Sequence, residues 1–363
     1  MRKFLFLVLL LGTATLFSQE EKVDSFIDAN YFYGTILRHN KDIAHLIKGH
    51  PDGLILSYNK KTFGEERWQQ AYNYPDWGVS FVYHNPQYDI LGANYGVYAH
   101  YNSYFFNRNV LLRIGQGIAY ASNKFDLESN PKNNAYGSSL LSSTYLMLNY
   151  NKQYLFKNIG IQAGLAVIHY SNANVTAPNS STNSLTFNVG LQYHLDREET
   201  SEYSFKEYTK FSEPIKFNLM LRTGVNESDY LNLGQEPFLV VSTFLDKRLS
   251  YKSSIQIGAD MFFSYFLKRQ IEYISISFPS YGIKGDEDYK RAGVFAGHEL
   301  HIGKVGVLTQ LGYYVYYPYD FEGRTYFRAG LTYRLHKNIV ASTTLKSHGA
   351  KAEAVEFGIG IRI

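Results

Sequence analysis

The chain has 363 residues, a formal charge of +4 and no cysteine, which rules out disulfides, thiolate metal centres, a cysteine nucleophile and a lipid anchor on a leading cysteine. Charged residues make up only 19% while aromatic residues reach 17%, with 33 tyrosines and 25 phenylalanines; nothing in that balance suggests a nucleic-acid partner. Tyrosine joins an apolar ring to a polar tip, which suits a boundary between hydrocarbon and water.

The chain opens with Arg2 and Lys3, runs through an apolar stretch from Phe4 to Leu10 and reaches small residues before Ser18 and Gln19. This is the layout of a secretory signal peptide over 1–18, and a mature chain from residue 19 would lose two of its formal positive charges. No later stretch has the roughly 18 apolar residues of a spanning helix, so any membrane crossing must use strands. Lys41 to Lys48 reads as a short helix with Ile43, Leu46 and Ile47 on one side. His39, His45 and His50 lie around it, but their spacing does not suit helical metal ligation, and surface histidines are the simpler reading.

From there the chain alternates with the period of strands. Val110, Leu112, Ile114, Ile118 and Tyr120 oppose Arg113, Gly115, Gly117 and Ala119; neither Gly115 with Gly117 nor Gly282 to Gly285 leads from a parallel strand into a helix, as a phosphate loop would. Phe217, Leu219, Leu221 and Val225 oppose Lys216, Asn218 and Arg222, and Phe327, Leu331, Tyr333 and Leu335 oppose Arg328 and Arg334. The last residues set Val355, Phe357, Ile359, Ile361 and Ile363 against Glu356 and Arg362. A soluble sandwich also alternates, but export signal, strands of about ten residues, tyrosine richness and an amphipathic final strand together favour an all-β, transmembrane antiparallel barrel of about 14 to 16 strands.

With the His169 strand rising outward, Asn107 to Asn109, Lys152 to Tyr154, His301 to Lys304 and His336 to Asn338 become short periplasmic turns. Asn123 to Tyr136, Ser228 to Glu236 and Gln270 to Lys290 become longer external loops. Arg197 to Pro214 is a charged break that could end an eight-stranded unit; one larger barrel over 19–363 is the favoured reading because the second half alternates in the same way.

The segment that carries chemistry is His169-Tyr170-Ser171-Asn172, followed by Pro178-Asn179 and Asn183. Ile161, Ala163, Leu165 and Val167 precede His169 and Ser171 on one apolar strand face, and Asn183 leads into the apolar face of Leu185, Phe187 and Val189. Residues i and i+2 lie about 7 Å apart on the same side of a strand, so an imidazole can reach a nearby hydroxyl. Polar groups on an outward apolar wall cost energy unless they are satisfied or used; the plain alternative is that the strands end there.

The segment resembles the PagL family of outer-membrane lipid A 3-O-deacylases, matching its His-x-Ser-Asn motif at His169, Ser171 and Asn172 and its Pro-Asn pair at Pro178 and Asn179. The likeness is most specific over 168–179 and extends as a strand pattern over about 27–195, with about 214–363 as additional barrel strands. It implies a serine esterase with His169 as general base, Ser171 as nucleophile and Asn172 helping to hold the oxyanion, needing no cofactor and acting on lipid A acyl chains of lipopolysaccharide in the outer membrane. Family members commonly carry a carboxylate where this chain has Asn183, and a glycine where it has Ser181. An amide can orient the imidazole but cannot stabilise its cation by charge. A non-enzymatic barrel, either a pore or a structural protein, and an esterase for another acylated lipid stand as alternatives. A homodimer would shelter a lipid-facing site, although no interface signature is visible.

Overall fold

The computed structural model describes residues 24–195, 203–349 and 351–363; the expected signal segment lies outside them. Eight strands follow one another in the first half: β1 (Ser25–Ile36), β2 (Asp52–Lys60), β3 (Asp76–Asn85), β4 (Asn94–Phe105), β5 (Val110–Ala121), β6 (Leu140–Phe156), β7 (Ile159–Ser171) and β8 (Thr182–His194). Eight more follow in the second: β9 (Lys216–Asn226), β10 (Glu236–Arg248), β11 (Ser253–Ser264), β12 (Arg291–Ile302), β13 (Val305–Tyr316), β14 (Thr325–Arg334), β15 (Ile339–His348) and β16 (Lys351–Arg362). Each half closes on itself as an antiparallel barrel.

The expectation of one barrel is therefore corrected to two. β8 pairs with β1 from Phe26 opposite His194 to Ile36 opposite Ser184, and β16 pairs with β9 from Phe357 opposite Thr223 to Arg362 opposite Asn218. The physical reason lies in the lumens, because eight strands leave an interior that side chains can fill. Arg113 on β5 reaches across to Asp28 on β1, with guanidinium-to-carboxylate distances of 2.7 and 3.1 Å. Its remaining N–H groups donate to Asn102, Ser57 and Asn59. In the second barrel Arg291 on β12 pairs across the lumen with Glu353 on β16 at 2.6 Å. Arg328 donates to Glu356 and Asp260 at 2.6 and 2.9 Å. These spans fit a narrow lumen, so each half has its own polar interior.

The alternation read from sequence decides which side faces in. Along β7, Gln162, Ala166, Ile168 and Tyr170 are buried while Leu165 is exposed; along β16, Glu356 is buried and Phe357, Ile359 and Ile361 are exposed. Gly115 does have a structural task, since a Cβ there would lie 2.2 Å from the ring of Tyr145, which crosses it inside the barrel.

Two smaller expectations shift. The turn placed at Lys152 to Tyr154 falls instead at 157–158, because β6 runs on to Phe156 through a register irregularity. The expected loop at Gln270 to Lys290 begins inside a helix, Tyr265–Ser277, whose Phe266, Leu267 and Ile271 pack against Tyr319 and Phe321. Near the N-terminus the helix is a single 3-10 turn, Ala44–Leu46. Among the described residues no helix is long and apolar enough to cross a membrane.

Candidate active site

The apolar outer wall of the first barrel ends, on β7 and β8, in a polar cluster. His169 and Asn183 are direct cross-strand partners, so their side chains leave the sheet side by side. Nδ1 of His169 lies 2.7 Å from Oδ1 of Asn183. With the ring proton on Nδ1 donated to that amide oxygen, Nε2 keeps a free lone pair and is the basic atom. The sequence expectation that these residues share a face is thus met by strand register.

Ser171 is the last residue of β7 and is only 6% exposed. Its hydroxyl donates to Oδ1 of Asn179 at 3.0 Å and accepts from the backbone N–H of Ala173 at 2.9 Å. Among the described residues no hydrogen bond joins Ser171 to His169; the serine proton rests on Asn179. Asn179, which the sequence marks only as part of a Pro-Asn pair, also accepts the backbone N–H of Asn172 at 3.0 Å.

Asn172 is committed to the loop that follows. Its side-chain amide donates to the Thr176 carbonyl at 2.5 Å, and its Oδ1 accepts the Asn174 N–H at 3.0 Å. An amide nitrogen carries two hydrogens, and the bond to Thr176 uses one of them. Ala173 and Asn174 both adopt positive φ, +54° and +64°, an uncommon state for residues with a Cβ and one that clusters at functional sites. The bonds to Ser171 and Asn172 hold this sharp turn.

Two further groups reach the site. The ring of His39 lies 3.0 Å from the Ser180 carbonyl and 3.4 Å from the Ser181 hydroxyl, and the N–H of Leu37 donates to the Asn183 carbonyl at 2.7 Å. His45 and His50 contact different carbonyls, those of Lys132 and Gly34, so the three histidines do not gather around one point. From the second barrel, Glu227 accepts the N–H of Ala177 at 3.0 Å. Neither His39 nor Glu227 was legible as a neighbour of this loop, because loop closure rather than strand period brings them there.

The arrangement places a serine hydroxyl, an oriented imidazole and N–H donors at the edge of an apolar wall. Two family models match the chain. Residues 52–192 match the family model described as lipid A 3-O-deacylase (PagL), and residues 215–363 match that of the acyloxyacyl hydrolase C-terminal domain. No curated protein matches. Among solved structures, a triple mutant of Rh. blastica porin is 8% identical, covers 93% of this chain and 100% of its own, and has a TM-score of 0.20. A double mutant of the same porin is 7% identical with the same coverage and TM-score. At that TM-score the likeness carries no conclusion about fold or function.

Proposed function

We propose, from the premise that the first barrel belongs to the lipid A 3-O-deacylase (PagL) family and the second to the acyloxyacyl hydrolase C-terminal domain family, that this protein is an outer-membrane serine esterase that removes an ester-linked acyl chain from lipid A. The observation that carries the reading is the His169–Asn183 bond beside Ser171 at the edge of the apolar wall. An acyl chain could lie along that wall with its ester carbonyl at the level of Ser171.

The chemistry starts with transfer of the Ser171 proton from its resting contact with Asn179 to Nε2 of His169. Oγ of Ser171 bonds to the ester carbonyl carbon, and the resulting oxyanion accepts the free N–H of Asn172. Collapse breaks the carbon–oxygen bond to the sugar, whose oxygen takes the proton held by His169. Water, deprotonated by the same imidazole, then attacks the acyl-serine, releasing the fatty acid and restoring Ser171. Asn183 keeps the imidazole in the required tautomer throughout. The membrane setting is supported by the rows of exposed Leu, Ile, Val and Phe on both barrels, which fit the apolar band of an outer-membrane barrel.

Mass spectrometry of lipid A after incubation with the detergent-refolded protein tests this, with radiolabelled phospholipid present as a control. Wild type is expected to remove one hydroxyacyl chain, and Ser171→Ala to lower the rate by about 10³-fold or more. Unchanged lipid A from folded wild type would overturn the assignment; release of label from phospholipid instead would move the same chemistry to another substrate.

A further inference from the structure

We propose that Glu227, on the loop after β9, is a positioning residue for the esterase site, so that the second barrel holds the catalytic loop of the first in its working shape. The inference rests on the reading of Ser171 as the nucleophile. Glu227 is 6% exposed and its carboxylate bridges the two halves of the protein. One oxygen accepts the N–H of Ala177 at 3.0 Å, in the segment that follows Ser171; the other accepts the N–H of Gly234 at 3.1 Å in its own loop.

The backbone of Glu227 joins the same segment. Its N–H donates to the Asn174 carbonyl at 3.0 Å, and its carbonyl accepts the Asn174 side-chain amide at 2.9 Å. Gln235, at the far end of the β9–β10 loop, donates to the Val175 carbonyl and the Thr176 hydroxyl at 3.0 and 2.9 Å. The second barrel therefore contacts Asn174, Val175, Thr176 and Ala177 in turn. This stretch lies between Asn172, which would hold the oxyanion, and Asn179, which holds the Ser171 hydroxyl.

The clamp is itself anchored. Ser228, next to Glu227, donates to Gln270 of the helix Tyr265–Ser277 at 2.8 Å, and Gln270 donates to the Tyr319 hydroxyl at 3.0 Å. A rigid second barrel thus fixes the helix, the helix fixes the β9–β10 loop, and that loop fixes the turn of left-handed residues behind Ser171. Residues at positive φ persist where the surrounding structure over-determines them, here by the local bonds and the clamp together, and misplacing a reacting group by about 1 Å can cost on the order of 10² in rate.

The test uses full-length protein refolded in detergent, comparing wild type, Glu227→Ala, Glu227→Gln, Ser171→Ala and Lys290→Ala, the last in the loop before β12, where its ammonium pairs with Asp288. Steady-state deacylation of lipid A gives kcat and KM, and hydrogen exchange followed by mass spectrometry reports the amides of 172–177. Glu227→Ala is expected to lower kcat between about 10-fold and 100-fold with KM within about twofold, and to speed exchange in that segment. Glu227→Gln, which retains an acceptor for Ala177, should recover most of kcat, and Lys290→Ala should match wild type. Wild-type kcat in Glu227→Ala, or a change confined to KM, would overturn the proposal while leaving the esterase reading intact if Ser171→Ala is inactive. Failure of the esterase reading appears separately, as wild-type protein that does not cleave lipid A while Glu227→Ala still shows faster exchange.

Discussion

At the scale of single residues, the informative departure is Asn183. The His169–Asn183 contact is a cross-strand neighbour pair held at 2.7 Å, so replacing the amide by a carboxylate changes charge with little change of shape. An imidazole that gains a proton in the transition state is stabilised by an adjacent carboxylate and only oriented by an amide. Asn183→Asp is expected to raise kcat for deacylation about tenfold, whereas Asn183→Leu, which frees the ring to adopt the other tautomer, should lower it about 10²-fold. Steady-state rates on purified lipid A check both, and a drop in Asn183→Asp would mean that the ring is not protonated during turnover. His169, Ser171 and Asn183 could be placed together from sequence because strand parity fixes faces. The loop contacts around Ser171 were less legible: Asn179 bonds to it from eight residues along the chain, and Glu227 reaches Ala177 from 50 residues away. No period encodes either contact.

At the scale of elements, alternation carried most of the reading. Its test is a charge placed on the outward face. Ile114 is 45% exposed in the middle of β5, between the inward Arg113 and Gly115, and in the proposed membrane setting it meets hydrocarbon. Ile114→Arg is expected to destabilise the folded barrel by about 2–4 kcal/mol in lipid vesicles, measured by urea titration of the refolded protein. Leu127→Arg, in the exposed loop between β5 and β6, should change little. Equal, small effects at both positions would mean that the β5 face is in water. The element that strand reading missed is the helix Tyr265–Ser277. Phe266, Leu267, Gln270, Ile271 and Ile274 form its buried stripe at helical spacing, a signal present in the sequence but hidden where a polar loop was expected to begin.

At the scale of the whole molecule, the number of barrels is what periodicity leaves open. A strand alternates in the same way whether its far neighbour closes eight strands or sixteen, so the edge-to-edge pairing of β8 with β1 is not encoded by parity. The side chains inside each barrel bear on whether a lumen conducts. Arg113, Arg291 and Arg328 are each at most 1% exposed. Arg113 is bonded to Asp28, Arg291 to Glu353, and Arg328 to Asp260 and Glu356. Lys346 adds a second cation to Glu353 at 2.7 Å. Charges buried in this way remain only when paired and hydrogen-bonded, and breaking one pair by removing a single partner costs about 3–5 kcal/mol. A permeating ion would have to part these pairs layer by layer. The protein reconstituted into planar bilayers is therefore expected to show no steady single-channel steps at moderate voltage. A reproducible conductance would mean that at least one lumen opens in the membrane, and Arg328→Ala would then be the variant to compare, since it removes the group that ties β14 to both β11 and β16.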